Sequence, residues 1–156
     1  MTEPTERAAI PTIIPTILLV EDDPELREEL AEWLRTEGFA VTATANGKEA
    51  LAVLEDHLSP SVILTDLLMP VMNGWELRTA LKGRPETAHI PVVVMSGAVS
   101  RDPRSPYYID VDDFVSKPIS PDDLLEKLRQ LPARPRSVDP KVGVAEPKVA
   151  VLESKR

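Results

Sequence analysis

The chain has 156 residues, 42% of them hydrophobic and 28% charged, with a net charge of −8 and no cysteine. This size fits one globular domain with extra length at the ends, and the lack of thiols excludes disulfide frameworks, cysteine nucleophiles and zinc–thiolate sites. Residues 16–131 contain 11 Lys and Arg against 21 Asp and Glu, an acidic balance that repels nucleic acid. The longest apolar run, residues 13–20, is too short to span a membrane, and we read no signal peptide. We therefore expect a cytoplasmic chain whose partners are neither nucleic acid nor a membrane.

Proline-rich segments mark both ends of the chain. Residues 1–15 contain three prolines and no sustained periodicity, so we expect a flexible leader. Residues 132–156 combine four prolines with charged and small residues. That composition is typical of disorder because it offers too little apolar surface to form a core. The ordered domain is expected over residues 16–131.

Between these ends, short apolar runs alternate with amphipathic stretches. The apolar runs predict five strands, at residues 16–20, 39–44, 62–66, 91–96 and 113–116. The amphipathic stretches predict helices at residues 24–37, 48–58, 74–82 and 121–131. Asp23 is expected to cap the first helix, which has Pro24 at its first position.

This alternation is typical of an α/β fold in which helices cover both faces of a parallel sheet. We expect a doubly wound, five-stranded sheet in the flavodoxin-like order 2-1-3-4-5. Ligands of such sheets bind beyond the carboxyl ends of the strands.

Polar residues follow the predicted strands at these carboxyl ends. Since parallel strands end at one edge of the sheet, the side chains should converge there. They are three acids after the first strand, an acid ending the third, a hydroxyl ending the fourth and a lysine after the fifth: Glu21, Asp22, Asp23, Asp66, Ser96 and Lys117.

Clustered carboxylates favour a bound cation, because several adjacent negative charges repel one another. Mg²⁺ is the natural choice, since it takes oxygen ligands and one to three carboxylates. A carboxylate beside Mg²⁺ can attack a phosphoryl group to give an aspartyl phosphate, which a lysine and a hydroxyl would stabilise. The pattern therefore favours phosphoryl transfer to an aspartate.

Four sequence stretches carry a family resemblance. They are ILLVEDDP, VILTDLLMPVMNGWEL, PVVVMSG and DDFVSKPIS, in this order. Over about residues 16–131 the chain resembles a response-regulator receiver domain of two-component signalling, similar to single-domain chemotaxis regulators. The resemblance implies a phosphoprotein that is not an enzyme beyond assisting its own phosphorylation and dephosphorylation.

The resemblance also implies a role for each matching residue. Asp66 accepts the phosphoryl group, Ser96 contacts it and Lys117 pairs with it. The Mg²⁺ ligands are the carboxylates of Asp22, Asp23 and Asp66 and the backbone carbonyl of Leu68. The Lys117–Pro118 bond is expected to be cis. Phe114 matches an aromatic switch residue, here without a hydroxyl.

Two departures from the family concern output and lifetime. Residues 99–112, where receivers have a fourth helix, contain Pro103 and Pro106, and an interior proline costs a helix about 3 kcal/mol. We expect an irregular or shortened helix, with a short turn near Pro106, and an activation that changes the order of this segment. Leu68 is apolar where fast-hydrolysing relatives are often polar, which predicts a longer-lived phosphoryl group.

The resulting hypothesis is a stand-alone phosphorelay receiver. Its phosphate would come from a histidine kinase or a histidine phosphotransfer protein, and a downstream protein target would receive the signal. One alternative is a receiver module of a larger signalling protein. A haloacid-dehalogenase-like phosphatase fits less well because such enzymes place a second acid where this chain has Leu68. A flavodoxin-like cofactor binder is disfavoured by the acids after the first strand.

Overall fold

A computed structural model describes residues 14–56, 58–97, 99–100 and 102–131. The predicted leader lies almost wholly, and the tail wholly, outside these residues. The described residues divide into two compact units, the first ending at Ser120 and the second beginning at Pro121. Within the described residues, no helix has the length and apolar character needed to cross a membrane.

The first unit contains a five-stranded sheet. Its strands are β1 (Thr16–Val20), β2 (Ala40–Thr44), β3 (Val62–Asp66), β4 (Val92–Ser96) and β5 (Asp113–Ser116). All neighbours are parallel, in the order β2-β1-β3-β4-β5. The predicted doubly wound fold and its strand order are confirmed.

Within the described residues there are four helices, three in the first unit and one in the second. They are α1 (Pro24–Thr36), α2 (Gly47–Glu55), α3 (Gly74–Lys82) and, in the second unit, α4 (Pro121–Gln130). The Asn73 side chain accepts from the Glu76 amide, and the Glu76 carboxylate accepts from the Asn73 amide. This capping box fixes the first turn of α3.

The apolar core lies against the central strands. Every residue of β3 and β4 is buried, as expected for parallel strands covered on both faces. One core cluster joins Leu18 and Ile63 of the sheet to Leu51 of α2 and Leu77 of α3. Burial of such a side chain stabilises the fold by about 1.5–3 kcal/mol, so the strand ends are held on a rigid base.

The segment between β4 and β5 contains no helix among its described residues. Turns occupy residues 103–104 and 106–107, and Ser100 pairs with Tyr108 in an isolated bridge. Ile109 is nevertheless buried in the core cluster. The expectation that no regular helix forms here, with a turn near Pro106, is therefore confirmed, and the burial of Ile109 attaches the segment to the domain.

Candidate functional site

The strand ends converge on one edge of the sheet, as the sequence predicts. Val20 pairs with Thr65, the residue before Asp66, and Ser96 pairs with Ser116, the residue before Lys117. The register therefore places these functional residues at the same level of adjacent strands.

Lys117 lies between two carboxylates at this edge. Its Nζ donates to Asp66 Oδ2 at 2.9 Å and to Glu21 Oε1 at 3.0 Å. Glu21 is 1% exposed and Asp66 is 8% exposed, so neither carboxylate is well solvated. The lysine is their counter-ion, and such charge-assisted bonds are stronger than neutral ones.

Burial controls the electrostatics of the pair formed by Glu21 and Lys117. It raises the pKa of the Glu21 carboxyl, against hydrogen bonds from Lys117 and the Asp23 amide that lower it. Burial also acts to lower the pKa of Lys117, but its bonds to Asp66 and Glu21 outweigh this effect and raise it. Lys117 therefore remains a cation at neutral pH.

Three carboxylates form an acidic cluster able to hold a metal ion. Oxygens of Glu21, Asp22 and Asp66 all lie within 4.8 Å of one another. Three potential negative charges face one lysine here, so a divalent cation would relieve their repulsion. Oxygen donors of this kind suit Mg²⁺.

The backbone around Asp66 is closely packed. Asp66 Oδ1 accepts from the Leu67 amide at 2.7 Å, and the Gly74 amide donates to the Leu67 carbonyl at 2.8 Å. A Cβ on Gly74 would lie 2.9 Å from the Asp66 carbonyl oxygen. Glycine is therefore required at the start of α3, where the helix meets the end of β3.

The sequence of the chain matches the response regulator receiver domain family over residues 17–129. The chain belongs to this family. Receiver domains are signalling modules rather than classical enzymes, and they interact with histidine kinases and downstream targets.

One relative and two solved structures illustrate the similarity. The response regulator Rre1 of Synechocystis sp. is 34% identical over 121 residues, which are 76% of this chain and 52% of Rre1. The chain thus spans about half of that relative's length. The chemotaxis response regulator CheY4 of Vibrio cholerae is 26% identical with a TM-score of 0.66, covering 75% of this chain and 98% of CheY4. TrrA of Thermotoga maritima, solved in complex with Mg²⁺ and BeF, is 27% identical with a TM-score of 0.64, covering 74% of this chain and 97% of TrrA.

Asp23 lies outside the acidic cluster of this receiver. Its carboxylate accepts hydrogen bonds from the amides of Glu25 and Leu26, at 3.0 Å and 3.4 Å. It therefore caps α1, as the sequence predicts, and it is exposed. Its second predicted role, as a metal ligand, stays a prediction.

Glu21 is the site residue to which the sequence assigned no role. Its amide continues the β1 ladder by donating to the Thr44 carbonyl at 3.0 Å, and Arg27 Nη1 donates to the Glu21 carbonyl at 2.9 Å. The available signal was its position directly after the buried strand. Glu21 is the first of three consecutive acids, and their charge alone does not indicate which of the three side chains faces the site.

The other predicted residues occupy distinct positions. Ser96 is buried at the end of β4, and Phe114 is half-buried against the core cluster. The Leu68 side chain is 66% exposed in the loop after Asp66. The Lys117–Pro118 bond is cis, which confirms that expectation.

Proposed function

We propose that this receiver accepts a phosphoryl group on Asp66, with Mg²⁺, from a histidine kinase or a histidine phosphotransfer protein. The observation that carries the proposal is the position of Asp66, whose two carboxylate oxygens accept from Lys117 and from the Leu67 amide. Asp66 also shares the acidic cluster with Glu21 and Asp22. Asp66 therefore has both a cationic partner, Lys117, and neighbouring carboxylates that could hold a metal ion.

In the reaction, an oxygen of Asp66 attacks the phosphorus of a phosphohistidine. The P–N bond breaks, the imidazole leaves with its electron pair and takes up a proton, and Asp66 becomes an acyl phosphate. The Lys117 ammonium group neutralises phosphoryl oxygens, and Ser96 offers a hydroxyl at the end of the neighbouring strand.

The metal would be held by the carboxylates of Glu21, Asp22 and Asp66 and by the Leu68 carbonyl. When bound, Mg²⁺ supplies charge neutralisation for the phosphoryl oxygens. The Mg²⁺ complex of TrrA, which has the same fold, supports this assignment. Asp23 remains a candidate ligand, and its substitution tests whether it binds the metal.

The proposed receiver is a stand-alone regulator in the cytoplasm. It passes its signal on by contact with another protein. Its acidic body supports this over direct nucleic-acid binding by residues 16–131. A receiver module within a larger protein is the second candidate, favoured by the match to only 52% of Rre1. The phosphorylation chemistry of the two is the same.

Intact mass spectrometry after incubation with acetyl phosphate and Mg²⁺ tests the acceptor. Wild type should gain the mass of one phosphoryl group, and Asp66→Asn should gain none. Asp56→Asn is the matched control, because Asp56 is an exposed aspartate at the end of α2, and it should behave as wild type. A phosphoryl group on Asp66→Asn would refute the assignment.

A further inference from the structure

Arg27 of α1 binds the backbone beside the acidic cluster rather than a carboxylate. Its Nη1 donates to the Glu21 carbonyl at 2.9 Å, in a partly buried contact. Among the described residues Arg27 forms no ion pair, although α1 carries four glutamates. The guanidinium group therefore acts on the main chain at the proposed metal site, not on the charged surface of its own helix.

The Glu21 carbonyl lies where the backbone leaves the sheet. Pairing of β1 with both neighbouring strands ends at Val20, and the Glu21 amide makes one further bond to the Thr44 carbonyl at 3.0 Å. The carbonyl of the same residue accepts from Arg27 instead. Because a peptide group is planar, a bond to this carbonyl also fixes the amide of Asp22.

The next peptide group is held by the Glu21 side chain. The Asp23 amide donates to Glu21 Oε2 at 3.2 Å, and Glu21 is buried and bonded to Lys117. Asp22 is thus flanked by two peptide groups that both have a fixed partner. Arg27 holds the group before it, and Glu21 holds the group after it.

The Asp22 carboxylate depends on this backbone for its direction. Among the described residues its oxygens have no hydrogen-bond partner, whereas Glu21 and Asp66 are both bonded to Lys117. An Asp22 oxygen nevertheless lies within 4.8 Å of oxygens of the other two carboxylates. Like charges so close repel one another. With no bond of its own, the side chain is kept near its neighbours by the main chain on either side.

We propose that Arg27 is a positioning residue for the metal site, which keeps the Asp22 carboxylate in the acidic cluster by holding the Glu21 carbonyl. The inference rests on the proposed function, because Asp22 is a metal ligand only if the cluster binds Mg²⁺. This role is opposite in sign to the charge of Arg27. A cation beside the cluster repels Mg²⁺, so loss of the charge alone would strengthen metal binding, whereas loss of the bond weakens it.

Arg27→Met distinguishes the two effects, because methionine keeps an apolar stem and removes both the donor and the charge. We expect the Kd for Mg²⁺ to rise about tenfold, the lower end of the loss that is usual when a group holding a metal ligand is removed. The ratio to wild type should persist in about 1 M KCl, where the Debye length is about 3 Å and charge effects are screened.

Arg35→Met is the matched control. Arg35 lies in the last turn of the same helix, and its Nη2 donates to a backbone carbonyl too, that of Val41 at 3.0 Å. The substitution removes the same charge and the same kind of bond without touching the peptide groups that flank Asp22. It should bind Mg²⁺ as wild type does.

Titration of amide NMR shifts with Mg²⁺ gives the Kd, and ¹⁵N relaxation of the metal-free chain gives the mobility of the Asp22 and Asp23 amides. A loss of stability alone would leave the Kd of the folded chain unchanged. In Arg27→Met the two amides should be more mobile than in wild type, and in Arg35→Met they should not. Equal or tighter Mg²⁺ binding by Arg27→Met, or unchanged mobility of both amides, would overturn the positioning role.

Two further outcomes are distinguishable from these. If Arg27→Met does not fold in metal-free buffer, Arg27→Gln makes the same comparison, because its shorter side chain removes the charge and reduces the reach of the donor. Failure of wild type to bind Mg²⁺ would instead count against the metal site of the proposed function.

Discussion

The Nζ of Lys117 donates to Oδ2 of Asp66 across 2.9 Å, joining the residue after β5 to the last residue of β3. The same ammonium group also bonds to Glu21, which is almost fully buried. One cation thus compensates two poorly solvated carboxylates. Stability and proposed chemistry depend on the same side chain.

Removal of this cation should destabilise the fold. Lys117→Met leaves Glu21 and Asp66 without their counter-ion. We expect the free energy of unfolding, measured with urea in metal-free buffer, to fall by about 2–3 kcal/mol. This is somewhat less than the loss when one partner of a fully buried ion pair is removed. Lys82→Met is the control, because it removes an exposed pair expected to contribute about 0–1 kcal/mol. Equal losses in the two variants would show that the buried pair is unimportant for stability.

Magnesium should stabilise the folded chain, since a ligand that binds only the native state adds to its stability. At a Mg²⁺ concentration 100 times the Kd, the gain is about 2.7 kcal/mol, visible as a rise in Tm. Asp22→Asn should lose most of this rise. Asp23→Asn should keep it, because asparagine also caps a helix and Asp23 lies outside the acidic cluster. A loss confined to Asp23→Asn would make Asp23 the ligand instead.

The buried Glu21 predicts a specific pH dependence in the absence of metal. Because burial raises its pKa in the folded state above the ordinary value of 4.5, the folded chain binds more protons than the unfolded chain just above that pH. The contribution of Glu21 to stability is therefore present below pH 4.5 and is lost as pH rises through the folded-state pKa. Glu21→Gln lacks this loss, so its stability relative to wild type should increase from pH 5 to pH 8 in EDTA. Urea titrations giving a constant or decreasing difference would contradict this cause.

Val71 has a backbone conformation that its side chain disfavours. Its φ is +71°, and a β-branched residue there is strained. Val71→Asn should raise the free energy of unfolding by about 1 kcal/mol, since asparagine tolerates this region. Leu68→Asn, which changes an exposed apolar residue of the same loop, should not raise the free energy of unfolding. Equal effects of both changes in thermal melts would argue against backbone strain.

Leu68 is also the residue expected to lengthen the lifetime of the acyl phosphate. Leu68 lies two residues after Asp66 and its side chain is 66% exposed. We propose that this apolar group hinders an attacking water. Leu68→Asn should lose phosphate several times faster than wild type, in a time course of intact mass after acetyl phosphate is removed. Unchanged loss would place the control of lifetime elsewhere.

Local sequence patterns were sufficient for most of the sheet. Strands β1, β3 and β5 begin and end where their apolar runs predict, because flanking polar and proline residues delimit them. Helix α2 ends at Glu55, three residues before the predicted end. Its pattern continues through Leu58, but no capping glycine fixes the end, and such boundaries depend on local hydrogen bonds.

Tertiary contacts at the site were less accessible from the sequence. The convergence of Asp66, Ser96 and Lys117 followed from parallel topology alone. The burial of Glu21 depends on how far the β1 ladder continues. Trp75 Nε1 donates to the backbone carbonyl of Tyr108 at 2.8 Å, an acceptor that every residue possesses. Neither contact leaves a residue-type signal.

The central claim is that Asp66 is the residue that becomes phosphorylated. Treatment with acetyl phosphate and Mg²⁺, followed by borohydride reduction of the acyl phosphate and peptide mapping by mass spectrometry, locates the modified carboxylate directly. We predict homoserine at position 66 and unmodified carboxylates at positions 21, 22 and 23. Modification at any of those three positions, with Asp66 intact, would contradict the account.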